Sequence, residues 1–165
     1  MHNTNASAPQ DFSTCDLFDD DETLQSVSTQ LRNFGGRTKF SGPIRTLRCY
    51  QDNSILKQIV ATPGNGQVLV VDGAGSLDCA LLGDMVAKTA LDNGWAGLVI
   101  HGAVRDSAEL ATLDLGIKAL GTNPRKSQKL DSGSPDVELR FGSVTFRPGL
   151  MLHSDEDGIL LDPIG

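Results

Sequence analysis

Two runs, Val68-Leu69-Val70-Val71 and Gly97-Leu98-Val99-Ile100, place no polar side chain on either face of an extended strand. Such strands belong in the middle of a sheet that is covered on both sides. Each run leads through a turn into a helical pattern. The first passes Asp72-Gly73-Ala74-Gly75-Ser76 and an apolar stretch at Ala80-Leu81-Leu82 to reach Gly83-Asp84. Met85, Val86, Thr89 and Ala90 then recur at helical spacing, and Gly94 ends the helix. The second leaves its carboxyl end through His101-Gly102-Ala103-Val104-Arg105-Asp106, and Ser107 to Leu113 continues as a short helix. Strand, turn and helix twice in succession imply parallel βαβ connections, whose strand carboxyl ends are where α/β proteins place their sites.

The flanking segments are shorter. The acidic cluster Asp16, Asp19, Asp20, Asp21 and Glu22 predicts a short helix start with a solvated face, and Asn33 to Arg37 a turn. Pro43 to Tyr50 reads as a strand, and Ser54 to Val60 as a helix ended by Pro63-Gly64. Val137 to Phe141, Val144 to Phe146 and Met151 to His153 are short strands broken by Gly142, Pro148-Gly149 and Asp157-Gly158, which predicts a C-terminal antiparallel β-layer. Residues 1–11 are expected to be a disordered leader, and residues 12–165 a single domain. A chain of this length buries about two-thirds of its unfolded surface around one core.

Composition excludes several functions. A net charge of −7 opposes binding to nucleic acid, where affinity comes from cations that neutralise phosphates. Cys15, Cys49 and Cys79 are odd in number and widely spaced, which fits reduced thiols better than a disulfide framework or a zinc site. The polar start lacks the features of a signal peptide, and no apolar run approaches the ~20 residues of a membrane span, so the expected location is the cytoplasm.

Asp84, Arg105 and Asp106 are the candidate functional residues. Each aspartate has a plain structural alternative. Asp84 precedes a helix as a favoured N-cap, and Asp106 precedes another with Glu109 in the capping-box position. Arg105, in a loop at a strand end, has the fork geometry that grips a carboxylate, and the free amides of Met85 and Val86 would add to that anion-binding potential. Lys88 and Lys118 read as solvated lysines, Trp95 as a packing anchor, His101 as a satisfied core or edge residue, and Arg125-Lys126 as a basic surface turn. Asp155, Glu156 and Asp157 read as a turn. The glycines of Asp72-Gly73-Ala74-Gly75 faintly resemble a methyltransferase or dinucleotide loop, but the pattern is incomplete and a tight turn explains it.

The ordered set Phe34-Gly35-Gly36-Arg37, Val68 to Ser76, Gly83-Asp84-Met85, Asn93 to Asp106 and Gly142 to Gly149 resembles the signature of the regulator of ribonuclease activity A (RraA-like) family. The resemblance runs from about Cys15 to Pro163. Members that act as 4-hydroxy-4-methyl-2-oxoglutarate aldolases carry an Asp, twenty residues, then Arg-Asp, the spacing of Asp84 and Arg105-Asp106. The resemblance implies a swivelling β/β/α fold, a homotrimer with sites between subunits, and a class II pyruvate aldolase with oxaloacetate decarboxylase activity. It further implies that Asp106 anchors Mg²⁺ or Mn²⁺ and that Arg105 grips the substrate carboxylate and oxo group. Asp84 would orient a metal-bound water, and the backbone of Gly83, Asp84, Met85 and Val86 would hold the carboxylate of a small 2-oxo acid. Longer members add an acidic residue from a neighbouring subunit beyond the position of Gly165, so these motifs contain no proton donor. The rival implication is a non-catalytic inhibitor of a ribonuclease such as RNase E.

Overall fold

The computed structural model describes residues 11–165; all of the expected leader except Asp11 lies outside the described residues. The chain runs α1 (Thr14–Asp20), β1 (Gln25–Ser26), β2 (Arg32–Asn33), β3 (Phe40–Arg48), α2 (Ser54–Val60), β4 (Val68–Asp72) and β5 (Ala80–Leu82). It continues through α3 (Asp84–Asp92), β6 (Gly97–Val104), α4 (Ser107–Leu110), β7 (Gly116–Thr122) and β8 (Ser134–Pro135). The last elements are β9 (Leu139–Phe141), β10 (Val144–Phe146), β11 (Met151–Ser154) and β12 (Ile159–Leu161).

One large sheet in the order β1-β12-β11-β3-β4-β6-β7-β2 organises the molecule. Its centre is parallel: β3, β4, β6 and β7 pair in sequence, with Val68 beside both Ile44 and Gly97. β11, β12 and β1 extend one side antiparallel, β2 closes the other, and β5 adds to β6 at its carboxyl end.

The two apolar runs occupy the middle of this sheet because they can be buried twice. Leu69, Val71, Leu98 and Ile100 face one core with Leu56, Ile59, Ala87 and Ala90 from α2 and α3. Val68, Val70 and Val99 face a second core with Phe141, Val144 and Phe146 from the β9–β10 hairpin. Helices, sheet and hairpin make the expected β/β/α stack. The antiparallel layer is narrower than the sequence implies, since β11 and β12 join the main sheet and only β9 and β10 stand apart.

Trp95 is buried and donates from its indole to the Thr62 carbonyl, as a packing anchor should. Lys118 departs from expectation. Beside Val99 on β7 it faces the second core, is 2% exposed, and its ammonium donates to the Asp155 carbonyl at 2.7 Å. Burial pushes that ammonium below its usual range, against the opposing pull of the Asp155, Glu156 and Asp157 carboxylates. Asp155 is likewise more than part of a turn. Its buried carboxylate accepts from the Thr14 amide and hydroxyl, each at 2.7 Å, and from the Asp157 amide at 2.9 Å, tying α1 to the β11–β12 connection.

Burial raises the Asp155 carboxyl, but the bonds from Thr14, Asp157 and Gly158 outweigh it and hold the group below the usual carboxylate range. The folded value lies below the unfolded one, so the stabilisation is complete above the ordinary carboxylate range and is lost as pH falls through the folded value. Asp155→Ala is expected to cost about 2–3 kcal/mol in urea unfolding at pH 7. The gap from wild type should shrink below about pH 4; a gap independent of pH would show that the charge on Asp155 contributes nothing.

Candidate active site

The parallel pairing of β5 with β6 brings together two strand ends that lie far apart in sequence. Leu82 is opposite Val104, and the Arg105 amide donates to the Leu82 carbonyl at 2.8 Å, so Gly83-Asp84 and Arg105-Asp106 leave the sheet side by side. Gly83 occupies the N-cap position of α3, and Asp84 is its first helical residue rather than its cap. Asp106 adopts a left-handed backbone, φ 59° and ψ 42°, at the N-cap of α4.

The capping-box expectation for Asp106 is overturned: its side chain makes no cap bond to α4. Instead, the carboxylate accepts the Asp84 amide at 3.1 Å and so satisfies the N-terminus of the other helix, α3. The left-handed backbone turns Asp106 away from its own helix. The Asp84 amide, with Arg105 adding to it, holds the Asp106 carboxyl below the usual carboxylate range despite partial burial. Gly83 is required by the same contact, because a Cβ there would stand 2.8 Å from the Asp106 carboxylate and 3.3 Å from Arg105 Cγ.

Arg105 is held loosely. Nη1 donates to the Pro124 carbonyl at 3.3 Å and Nε lies 3.7 Å from the Asp106 carboxylate, leaving most of its five donors for a ligand. The Met85 and Val86 amides have no acceptor within α3, and its N-terminal dipole adds positive potential beside them. Met85 is 77% exposed at the mouth, whereas Val86 packs on the helix-side core. Asp84 lies 3.9 Å from Lys88 one turn on.

All six expected site residues line one cleft of about 190 Å³, together with Asn53, Lys57, Ala80, Leu82, Lys126, Ser127 and Lys129. A second hollow of about 230 Å³ shares Arg105 and Asp106 and is completed by Ser107, Thr122, Asn123 and Pro124. Lys126 is thus part of the site, not of a remote surface turn. Its loop is pinned by Asp52, whose buried carboxylate accepts from the amides of Ser54 at 2.8 Å, Leu130 at 2.6 Å and Ser132 at 3.4 Å. Asn53, also buried, donates to the Leu81 carbonyl and accepts from Lys129 Nζ at 2.7 Å. The sequence signal for Lys126 and Lys129 is the basic run from Arg125 to Lys129 in an acidic chain, and none marks Asp52, Asn53 or Lys57.

The Asp72–Ser76 loop is closed on itself. Asp72 accepts from the Ala74 amide at 2.9 Å and pairs with His101 Nδ1 at 3.0 Å, while His101 stacks on Phe141 with ring centroids 4.3 Å apart. The space beside Gly73 is filled by Leu81 and the His101 carbonyl. His101 is the satisfied residue the sequence implied. Among the described residues no group of three or more His, Cys, Asp or Glu is placed to hold a metal, and no helix is long and apolar enough to cross a membrane.

Residues 14–161 match the family model described as RraA-like, Aldolase/RraA. Among solved structures, the chain is similar to an RNA-processing inhibitor RraA from Thermus thermophilis, with 44% identity, a TM-score of 0.90, and coverage of 93% of this chain and 94% of that one. It is also similar to a protein from Geobacillus kaustophilus HTA426 described as an S-adenosylmethionine: 2-dimethylmenaquinone methyltransferase, with 41% identity, a TM-score of 0.90, and 93% and 96% coverage. A third relative is Streptomyces coelicolor RraAS2, described as an unusual member of the RNase ES inhibitor RraA protein family, with 28% identity, a TM-score of 0.72, and 91% and 78% coverage.

Gly83→Ala should displace the Asp106 carboxylate, cost about 1–3 kcal/mol in thermal unfolding, and speed hydrogen exchange at the Asp84 amide. Unchanged exchange would show that Asp106 yields without losing its bond.

Proposed function

This chain belongs to the RraA-like (Aldolase/RraA) family, and we propose that within it the protein is a divalent-metal-dependent carbon–carbon lyase. Its reaction would be cleavage of 4-hydroxy-4-methyl-2-oxoglutarate to pyruvate, with decarboxylation of oxaloacetate as a companion activity. The observation that carries this reading is the convergence of Arg105, Asp106 and the N-terminus of α3 on one small cleft. A volume of about 190 Å³ suits a small organic acid; drug-sized ligands fill clefts of roughly 300 Å³ or more.

The donor set suits a hard cation. Asp84 and Asp106 are two carboxylates without a histidine or cysteine beside them in the cleft, and Mg²⁺ is typically bound through one or two carboxylates with waters and substrate oxygens. Asp106 would anchor the ion and Asp84 would orient a water on it. When bound, the ion would supply Lewis-acid stabilisation of negative charge on the oxo oxygen.

The protein's own groups divide the remaining work. The Met85 and Val86 amides and Arg105 bind the carboxylate next to the oxo group and fix its plane. As a base takes the proton of the 4-hydroxyl, that carbon becomes a carbonyl, the carbon–carbon bond breaks with its electron pair left on the pyruvyl carbon, and the enolate charge would spread to the oxo oxygen beside Arg105. Loss of CO₂ from oxaloacetate leaves the same electron pair in the same place. In a homotrimer with the site at a subunit boundary, a neighbouring copy would supply the group that takes the hydroxyl proton in the cleavage and gives a proton to that carbon in both reactions.

Pyruvate release from both substrates, coupled to lactate dehydrogenase, should require Mg²⁺ or Mn²⁺ and stop with EDTA; no metal-dependent release from either would sink the reading. Arg105→Ala should lower kcat/KM by at least two to three orders of magnitude. Asp106→Asn keeps an acceptor for the Asp84 amide, so its melting temperature should stay near wild type while activity no longer responds to metal.

A second reading, docking on and inhibiting a ribonuclease, is favoured by the Thermus and Streptomyces relatives, both described as inhibitors or as members of an inhibitor family. Inhibition that survives Arg105→Ala and Asp106→Ala would place it on another surface. The methyltransferase description belongs to the Geobacillus relative; here the glycine-rich loop is filled by His101, Leu81 and its own Asp72 turn.

A further inference from the structure

We propose that Lys57 and Lys126 form a second anion subsite in the Arg105 cleft, which receives the distal carboxylate of a substrate that carries two. This deepens the oxo-acid reading above and rests on it for the first carboxylate only.

The charge distribution is the starting observation. The chain carries 21 acidic and 14 basic residues, yet one cleft gathers Lys57, Arg105, Lys126 and Lys129 against Asp84 and Asp106 alone. Elsewhere several cations are paired, Arg37 with Asp114, Arg45 with Asp136, and Arg140 and Arg147 with Glu138, while those without a carboxylate, such as Arg32 over the Phe34 ring, stand outside the cleft. Among the described residues no carboxylate lies within ion-pair distance of Lys57 or Lys126. A locally positive cleft on a negative protein draws small anions to itself.

The fold holds this arrangement in place. Lys129 is fully committed, since its three protons face Asn53 Oδ1 at 2.7 Å, the Ser127 carbonyl at 3.3 Å and Ser127 Oγ at 3.5 Å. It is therefore a fixed wall of the cleft and not the acceptor of a ligand. Lys57, Lys126 and Lys129 line the same cleft, and burial, then the like charges of Lys57 and Lys126 against the pull of Asp52, push the Lys129 ammonium below the usual lysine range. The buried Asp52 carboxylate holds down the loop that carries Lys126 and Lys129. An anion at Lys57 and Lys126 would offset their like charges.

The occupant follows from size and from what Arg105 already takes. With one carboxylate on Arg105 and the α3 amides, a cleft of about 190 Å³ leaves room for a few more carbons and a second charged end. Lysine is a point charge on a flexible stem and tolerates the varied reach of such an end, whereas a fixed fork would not.

Binding of 2-oxoglutarate and of 2-oxovalerate, which ends in a methyl group in place of the distal carboxylate, tests this by calorimetry with Mg²⁺ present. Wild type should prefer 2-oxoglutarate about tenfold, equivalent to about 1.4 kcal/mol. Lys57→Gln/Lys126→Gln, both at exposed positions, should reduce the preference to within twofold with 2-oxovalerate affinity unchanged. A preference that survives in the double variant overturns the subsite and leaves the oxo-acid reading standing. Glutarate separates the two ideas in the other direction: if it binds as well as 2-oxoglutarate and the double variant loses it, the lysine subsite stands and the oxo-acid reading falls. Displacement of 2-oxoglutarate by equimolar inorganic phosphate overturns the assignment to a carboxylate, and failure of all three acids to bind wild type overturns both.

Discussion

The hydrogen bond from the Asp84 amide to the Asp106 carboxylate, 22 residues apart in sequence, joins the starts of two helices, and the geometry of the cleft depends on it. It forms because β5 pairs with β6 and sets Gly83 against Arg105, and because a left-handed turn at Asp106 sends its side chain toward α3. It needs a residue without a side chain at Gly83. The same carboxylate is thereby kept ionised and rigid, next to a guanidinium whose donors are mostly free. The group satisfies a helix N-terminus and is still one-third exposed, which leaves its second oxygen open to the cleft.

Around that bond the protein builds an electrostatic contrast. Buried carboxylates elsewhere serve as tethers: Asp155 ties α1 to the end of the sheet, and Asp52 ties down the 127–132 loop. Both stay ionised because several amides point at each of them, which offsets the cost of burial. The cleft itself is the reverse case, with cations gathered under restraint and few anions to meet them. Tethers that fix the loop of Lys126 and Lys129 keep a cationic cleft in place without rearrangement when a ligand arrives.

The central sheet was legible because burial on both faces leaves a composition that no other element shows. Val68 to Val71 and Leu98 to Ile100 do divide between two cores, and α2 begins and ends where the pattern of Ser54 to Val60 says. Short elements were not legible. β1, β2 and β8 are two residues long, and their pairing partners lie far away in sequence, so no local period announces them. Lys118 was misread for a related reason: a charged residue in a strand reads as solvent-facing until a remote carbonyl, here that of Asp155, is placed over it.

The sequence by itself determined the α/β class and the family, and it singled out Arg105, Asp106 and Asp84 as candidates, because these rest on local periodicity and on motif spacing along the chain. Tertiary structure alone decided what the residues do to one another. Asp106 as a cap for α3 instead of α4, Gly83 as the space it occupies, and Lys57, Lys126 and Lys129 as walls of the same cleft all arise from strand pairing and loop tethering. Contacts of that kind are set by which strand ends meet in space, and the separation of residues along the chain carries no record of it.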